Sequence, residues 1–151
     1  MNDPSRTTDP SGRPLLDREI LVIDDCVQTR QLLTHVLSRA GGRVTTCHDG
    51  FKGVAVVTSE AEGTDVDIVL CDYEMDGIDG IETTRRLRAG GFEGPVIAMS
   101  AVTTADNLND WLDAGCDTFF MKPFSAAQVL DAVGRGVEAA YARRAELNTC
   151  G

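Results

Sequence analysis

Five short apolar runs set the terms for this chain: Ile20 to Ile23, Val44 to Cys47, Ile68 to Cys71, Val96 to Met99 and Phe119 to Met121. Each has about the length of a strand, and a stretch long enough for a helix separates it from the next. Runs that are continuously apolar, rather than alternating, imply strands covered on both faces, and parallel neighbours require crossover connections. The expectation is an α/β fold, a three-layer αβα sandwich with a five-stranded parallel sheet and five helices. Periodicity leaves the strand order open.

The intervening stretches have helical faces. Leu32, Leu33, Val36, Leu37 and Ala40 recur at three- and four-residue spacing before Gly41-Gly42, a helix stop. Val54, Val57 and Ala61 mark a second helix, and Ile78, Ile81 and Leu87 a third that ends at Gly90-Gly91. Ala105, Leu108, Trp111 and Leu112 mark the fourth, with Thr103 or Thr104 as its N-cap. Val129, Leu130, Val133, Val137 and Tyr141 mark the fifth, where Gly134 and Gly136 each cost about 1 kcal/mol against alanine. Packing must hold that helix.

At 151 residues the chain suits one domain. Residues 1–14, rich in Pro, Ser, Thr, Asp and Gly, read as a disordered leader, which favours a natural start; residues 15–143 are expected as the folded unit, and 144–151 as a flexible tail. The 24 acidic against 14 basic residues give a formal charge of -10, which argues against direct nucleic-acid or anionic-lipid binding. No apolar stretch approaches the ~20 residues of a membrane span, and no secretory segment opens the chain, so a cytoplasmic protein is expected. The five cysteines, an odd number without CxxC spacing, read as reduced thiols. His35 and His48 lie away from the acidic motifs and read as surface residues, while Trp111 and Phe119-Phe120 fit packing better than cofactor stacking.

Chemistry gathers where the apolar runs end. Asp24-Asp25 follows ILVI, Asp72 ends DIVLCD, Ser100 follows PVIAM, and Lys122-Pro123 follows TFFM. In an open parallel sheet ligands bind beyond the carboxyl ends of the strands, so these four positions form one candidate pocket. Adjacent carboxylates at Asp24 and Asp25 repel each other unless a cation intervenes; the alternative is a solvated pair at a helix start. Asp72, at the end of a central strand, is expensive to bury unless paired or coordinated. Asp25 and Asp72 can bind magnesium or manganese directly, with Asp24 bound through water. A carboxylate can also attack phosphorus and form an acyl phosphate, which makes Asp72 the candidate nucleophile. The Ser100 hydroxyl can donate to a phosphoryl oxygen, and Lys122 can balance its charge.

The segments ILVIDD, LCDYEMDGIDG, PVIAMSA and FFMKPF resemble the receiver domain of two-component response regulators and hybrid sensor kinases, over Arg18 to about Tyr141. The resemblance implies a flavodoxin-like sheet of order 2-1-3-4-5 and an Asp72 that accepts phosphate from the phosphohistidine of a histidine kinase or histidine phosphotransfer protein. It implies Asp24, Asp25, Asp72 and the backbone carbonyl of Glu74 as metal ligands, Ser100 and Phe119 as switch residues, and Lys122 as the salt-bridging lysine. Val27, Arg30, Pro123 and Phe124 become candidate contacts for the kinase or phosphotransfer protein. A downstream protein would read the face of helix four, strand five and helix five. The chain departs from the family pattern at Asp76, where proline is common, and at Phe119, where tyrosine or histidine is frequent.

Such a chain catalyses its own phosphorylation and dephosphorylation, without a separate turnover activity. It would serve as a stand-alone receiver or as the receiver of a hybrid kinase in a phosphorelay. Two other readings stay open: an interaction module that keeps the fold without using phosphate, and an aspartyl-phosphate phosphatase with Glu74 as its acid-base carboxylate.

Overall fold

The computed structural model describes residues 12–59, 65–101 and 105–149. The elements alternate as expected: β1 (Glu19–Ile23), α1 (Val27–Arg39), β2 (Arg43–Cys47), α2 (Gly50–Thr58), β3 (Ile68–Asp72), α3 (Gly80–Ala89), β4 (Val96–Ser100), α4 (Ala105–Ala114), β5 (Thr118–Met121) and α5 (Ala126–Thr149). All strand pairs are parallel, in the order β2-β1-β3-β4-β5.

Successive strand residues point to opposite faces, so each strand feeds two layers. Ile20, Val22, Ile68, Leu70, Ile97, Met99 and Phe120 pack with Leu33 and Leu37 of α1 and Val129 and Val133 of α5. Leu21, Ile23, Val69, Cys71 and Val96 face the other way, against Leu87 of α3 and Val54 and Val57 of α2. A third cluster joins Ile81, Ala98, Trp111 and Cys116. Each fully buried aliphatic side chain contributes about 1.5–3 kcal/mol.

Coverage on both faces holds for the central strands only. β1 from Ile20, and all of β3 and β4, are buried, whereas β2 is largely exposed and β5 buries Phe120 alone. Edge strands have one strand neighbour, and two of the four residues from Val44 to Cys47 are threonines, which tolerate solvent. Leu32, Leu112 and Tyr141, expected on helix inner faces, are 48%, 60% and 47% exposed. Ile78 precedes α3 rather than lying within it.

Leu15 is buried in the α1/α5 layer, and its N–H donates to Ala40 O. Helix α5 does not stop at residue 143 but continues through 144–149, the segment expected as a flexible tail. Its far end is tied to the sheet: Asp117 accepts from Arg143 of α5, from Arg88 of α3 and from the Val96 N–H. Gly136 lets α5 approach closely, because a Cβ there would lie 3.0 Å from Thr118 Oγ1. Residues 1–11 of the leader, Ala61, the Thr103 and Thr104 caps and Cys150 lie outside the described residues. Cys26, Cys47, Cys71 and Cys116 are free thiols. Among the described residues, no helix is long and apolar enough to cross a membrane.

Candidate functional site

Strand register gathers the expected residues at one edge of the sheet. Ile23 pairs with Cys71, Asp72 with Met99 and Ser100 with Met121, so the loops after β1, β3, β4 and β5 leave side by side. They surround an open cleft of about 670 Å³ lined by Asp25, Asp72, Tyr73, Glu74, Met75, Asp76, Asp79, Ala101 and Lys122.

Asp24 is fully buried and engaged on both carboxylate oxygens. Oδ1 accepts from the Cys26 N–H at 2.8 Å, and Oδ2 accepts from Lys122 Nζ at 2.8 Å. The Asp24 carbonyl accepts from Arg30 Nη1 at 2.7 Å. Asp25 is exposed and turned toward the cleft. The two adjacent acids thus have different environments, one a buried anchor and the other free to meet a ligand.

Asp72 is 5% exposed at the end of β3, and its Oδ1 lies 3.0 Å from Lys122 Nζ. Burial and the neighbouring Asp24 charge push its carboxyl up to about 6, with Lys122 opposing them. Burial disfavours charge on Lys122, yet its hydrogen bonds to Asp24 and Asp72 outweigh that and raise its pKa. One carboxylate oxygen from each of Asp24, Asp25 and Asp72 lies within 4.8 Å of the others. Three hard oxygen donors at that spacing fit a divalent cation, which would also relieve the repulsion that raises Asp72.

Ser100 is 4% exposed at the end of β4, and its carbonyl accepts from the Lys122 N–H at 2.9 Å. Ala101, the next residue, lines the cleft itself. The Lys122–Pro123 peptide is cis. Phe119 is 41% exposed on β5, outside the buried clusters, while its neighbour Phe120 faces the core. Among the four candidate partner contacts, Val27 and Pro123 are exposed. Arg30 is engaged with Asp24, and Phe124 packs edge-on against Phe120 at 5.1 Å.

The structure adds residues that the sequence reading passed over. Asp79 caps α3 by accepting from the Glu82 N–H at 2.8 Å, and also lines the cleft; the Asp-x-x-Glu spacing is its sequence signal. Trp111 packs edge-on against Tyr73, with centroids 6.0 Å apart. Gly80 makes that possible, since a Cβ there would lie 2.3 Å from Asp72 O and 2.4 Å from Trp111 Cη2. No local pattern marks that contact.

A model of the response regulator receiver domain matches residues 20–134. The sensor histidine kinase RcsC of Salmonella typhi is 34% identical over 138 residues, 91% of this chain but 14% of the kinase. Sporulation initiation phosphotransferase F of Bacillus subtilis is 31% identical over 119 residues, 79% of this chain and 93% of that protein. The receiver domain of a Pseudomonas aeruginosa sensor histidine kinase, solved with magnesium in its active-site cleft, superposes with a TM-score of 0.71 at 27% identity, covering 81% of this chain and 98% of that one. The chain thus spans nearly all of one relative and a small part of another. With the sheet order, the aspartate cluster and the matched segment in agreement, this chain belongs to the response regulator receiver domain family.

Proposed function

We propose that Asp72 is the phosphoacceptor of a two-component or phosphorelay system, taking its phosphoryl group from a phosphohistidine on a histidine kinase or histidine phosphotransfer protein. The observation that carries this reading is that Asp72 lies 3.0 Å from the Lys122 ammonium and within 4.8 Å of the two acids of the β1–α1 loop. A carboxylate oxygen of Asp72 attacks phosphorus; the new C–O–P bond forms as the N–P bond breaks, and the imidazole leaves with its electron pair. Lys122 neutralises charge on the arriving group, and Ser100 donates to one of its oxygens. Magnesium or manganese, held by Asp25 and Asp72 with Asp24 behind them and the Glu74 carbonyl beside them, would supply Lewis-acid stabilisation of phosphoryl charge.

Transfer adds about two negative charges beside Lys122 and Ser100. We read the α4, β5 and α5 surface, including exposed Phe119, as the face that changes for a downstream protein. A receiver working through protein contacts fits an acidic chain with free thiols in a reducing cytoplasm.

The test is incubation with acetyl phosphate and magnesium, read by intact-protein mass. One phosphoryl group should be added to the wild type and none to Asp72→Asn. Equal labelling of both proteins would refute the assignment. Steady turnover of small phosphate esters would favour the phosphatase reading.

A further inference from the structure

Phe51 stands in the first turn of α2, 51% exposed and outside every buried cluster. Neither core packing nor the cleft accounts for a large apolar side chain there. The start of α2 is fixed by Asp49, whose Oδ1 accepts from the Lys52 N–H at 2.8 Å. Gly50 brings this end of α2 against the β3–α3 loop, since a Cβ on it would lie 2.7 Å from Ile78 Cγ1.

The Phe51 ring then reaches Gly77. A Cβ on Gly77 would sit 3.1 Å from Phe51 Cε2, and Gly77 has a φ of +89, in the left-handed region that favours glycine. The Arg86 guanidinium carbon stands 5.2 Å from the ring centroid, and Glu82 holds Arg86 through Nε at 3.0 Å. The result is a stack of Glu82, Arg86, Phe51 and Gly77 running from the α3 surface to the loop.

That loop supplies Glu74, Met75 and Asp76 to the cleft. Its ends are tied by backbone bonds, Tyr73 N–H to Met99 O and Gly80 N–H to Tyr73 O. Gly77 lies between these ties, and Asp76 beside it adds no ring constraint. We propose that Phe51, backed by Arg86, is a positioning residue that holds the β3–α3 loop, and with it Glu74, in the conformation the metal site requires. The inference rests on the phosphoacceptor reading for its effect on chemistry, while the clamp itself does not.

The test uses the full chain as wild type, Phe51→Ala, Phe51→Tyr and Arg86→Gln. Magnesium chloride alone is titrated while following the emission of Trp111, the single tryptophan. Phe51→Ala should weaken magnesium binding about tenfold, as loss of a supporting contact does at metal sites. Its labelling by acetyl phosphate should fall at limiting magnesium and recover at saturating magnesium. Phe51→Tyr, which keeps the ring, should match the wild type. Arg86→Gln should weaken binding about twofold, and it carries the same comparison should Phe51→Ala not fold.

Amide hydrogen exchange at residues 74–78 in the metal-free proteins is the independent arm. Faster exchange in Phe51→Ala supports the clamp even if the wild type takes neither magnesium nor phosphate, a result that would sink the phosphoacceptor reading alone. Unchanged exchange overturns the proposal, as does, where the wild type binds magnesium, an equal affinity in Phe51→Ala.

Discussion

Lys122 Nζ donates to Asp24 Oδ2 at 2.8 Å across 98 positions of sequence, and Asp24 is completely buried. The same ammonium lies 3.0 Å from Asp72, so one cation holds two acids at the sheet edge. Removing it leaves a buried carboxylate without a counter-charge. Lys122→Met should therefore lose about 3 kcal/mol in urea unfolding near neutral pH, the low end for a broken buried pair because the lysine keeps some solvent contact. A loss below about 1 kcal/mol would mean that solvent already screens the pair.

Asp72, pushed up to about 6, makes stability depend on pH. The folded pKa lies above the unfolded value of about 3.9, so the folded chain holds this proton more tightly. In EDTA the wild type should gain stability relative to Asp72→Asn as pH falls from about 7 toward about 4, the gain developing around the folded pKa. Asp72→Asn should thus be the more stable protein at neutral pH, with the difference closing in acid. A difference in unfolding free energy that stays flat with pH would contradict the burial of this charge.

Magnesium should stabilise the folded chain by linkage, about 2.7 kcal/mol at a hundredfold excess over its dissociation constant. Thermal unfolding with and without the ion reads this directly. The Asp25→Asn, Asp72→Asn double variant should show no shift, because it removes the exposed ligand and the central one together.

Gly80→Ala should destabilise the chain by about 3 kcal/mol, since its Cβ would fall 2.3 Å from Asp72 O and 2.4 Å from Trp111 Cη2. The strain cannot relax without moving either the strand end that carries Asp72 or helix α4. A shifted Trp111 emission maximum should accompany the loss. Wild-type stability and emission together would show that this junction is looser than the packing implies.

Phosphorylation-dependent binding should separate a receiver from a permanently set interaction module. A downstream protein should bind the acetyl-phosphate-treated wild type more tightly than Asp72→Asn, a difference measurable by calorimetry with any captured partner. Equal affinity would favour the module.

The element sequence was legible because apolar runs of strand length and helical spacing are local properties. Asp24, Asp25, Asp72, Ser100 and Lys122 were legible for a related reason: each ends or follows a strand, and parallel strands deliver their carboxyl ends to one edge. Sheet order came from family resemblance, since periodicity within a strand says nothing about its neighbour. Exposure was misjudged at β2, where edge position in the sheet decides it, and at Leu112 of α4 and Tyr141 of α5, where helix packing does.

The sequence by itself determined which elements form and which residues end the strands at a common rim. Only the tertiary structure decided the environment of each. It buried Asp24 and left Asp25 in solvent, set Lys122 between Asp24 and Asp72, and laid Phe51 against Gly77. These are differences of burial and distance between residues far apart in the chain, and such differences arise only when the layers pack.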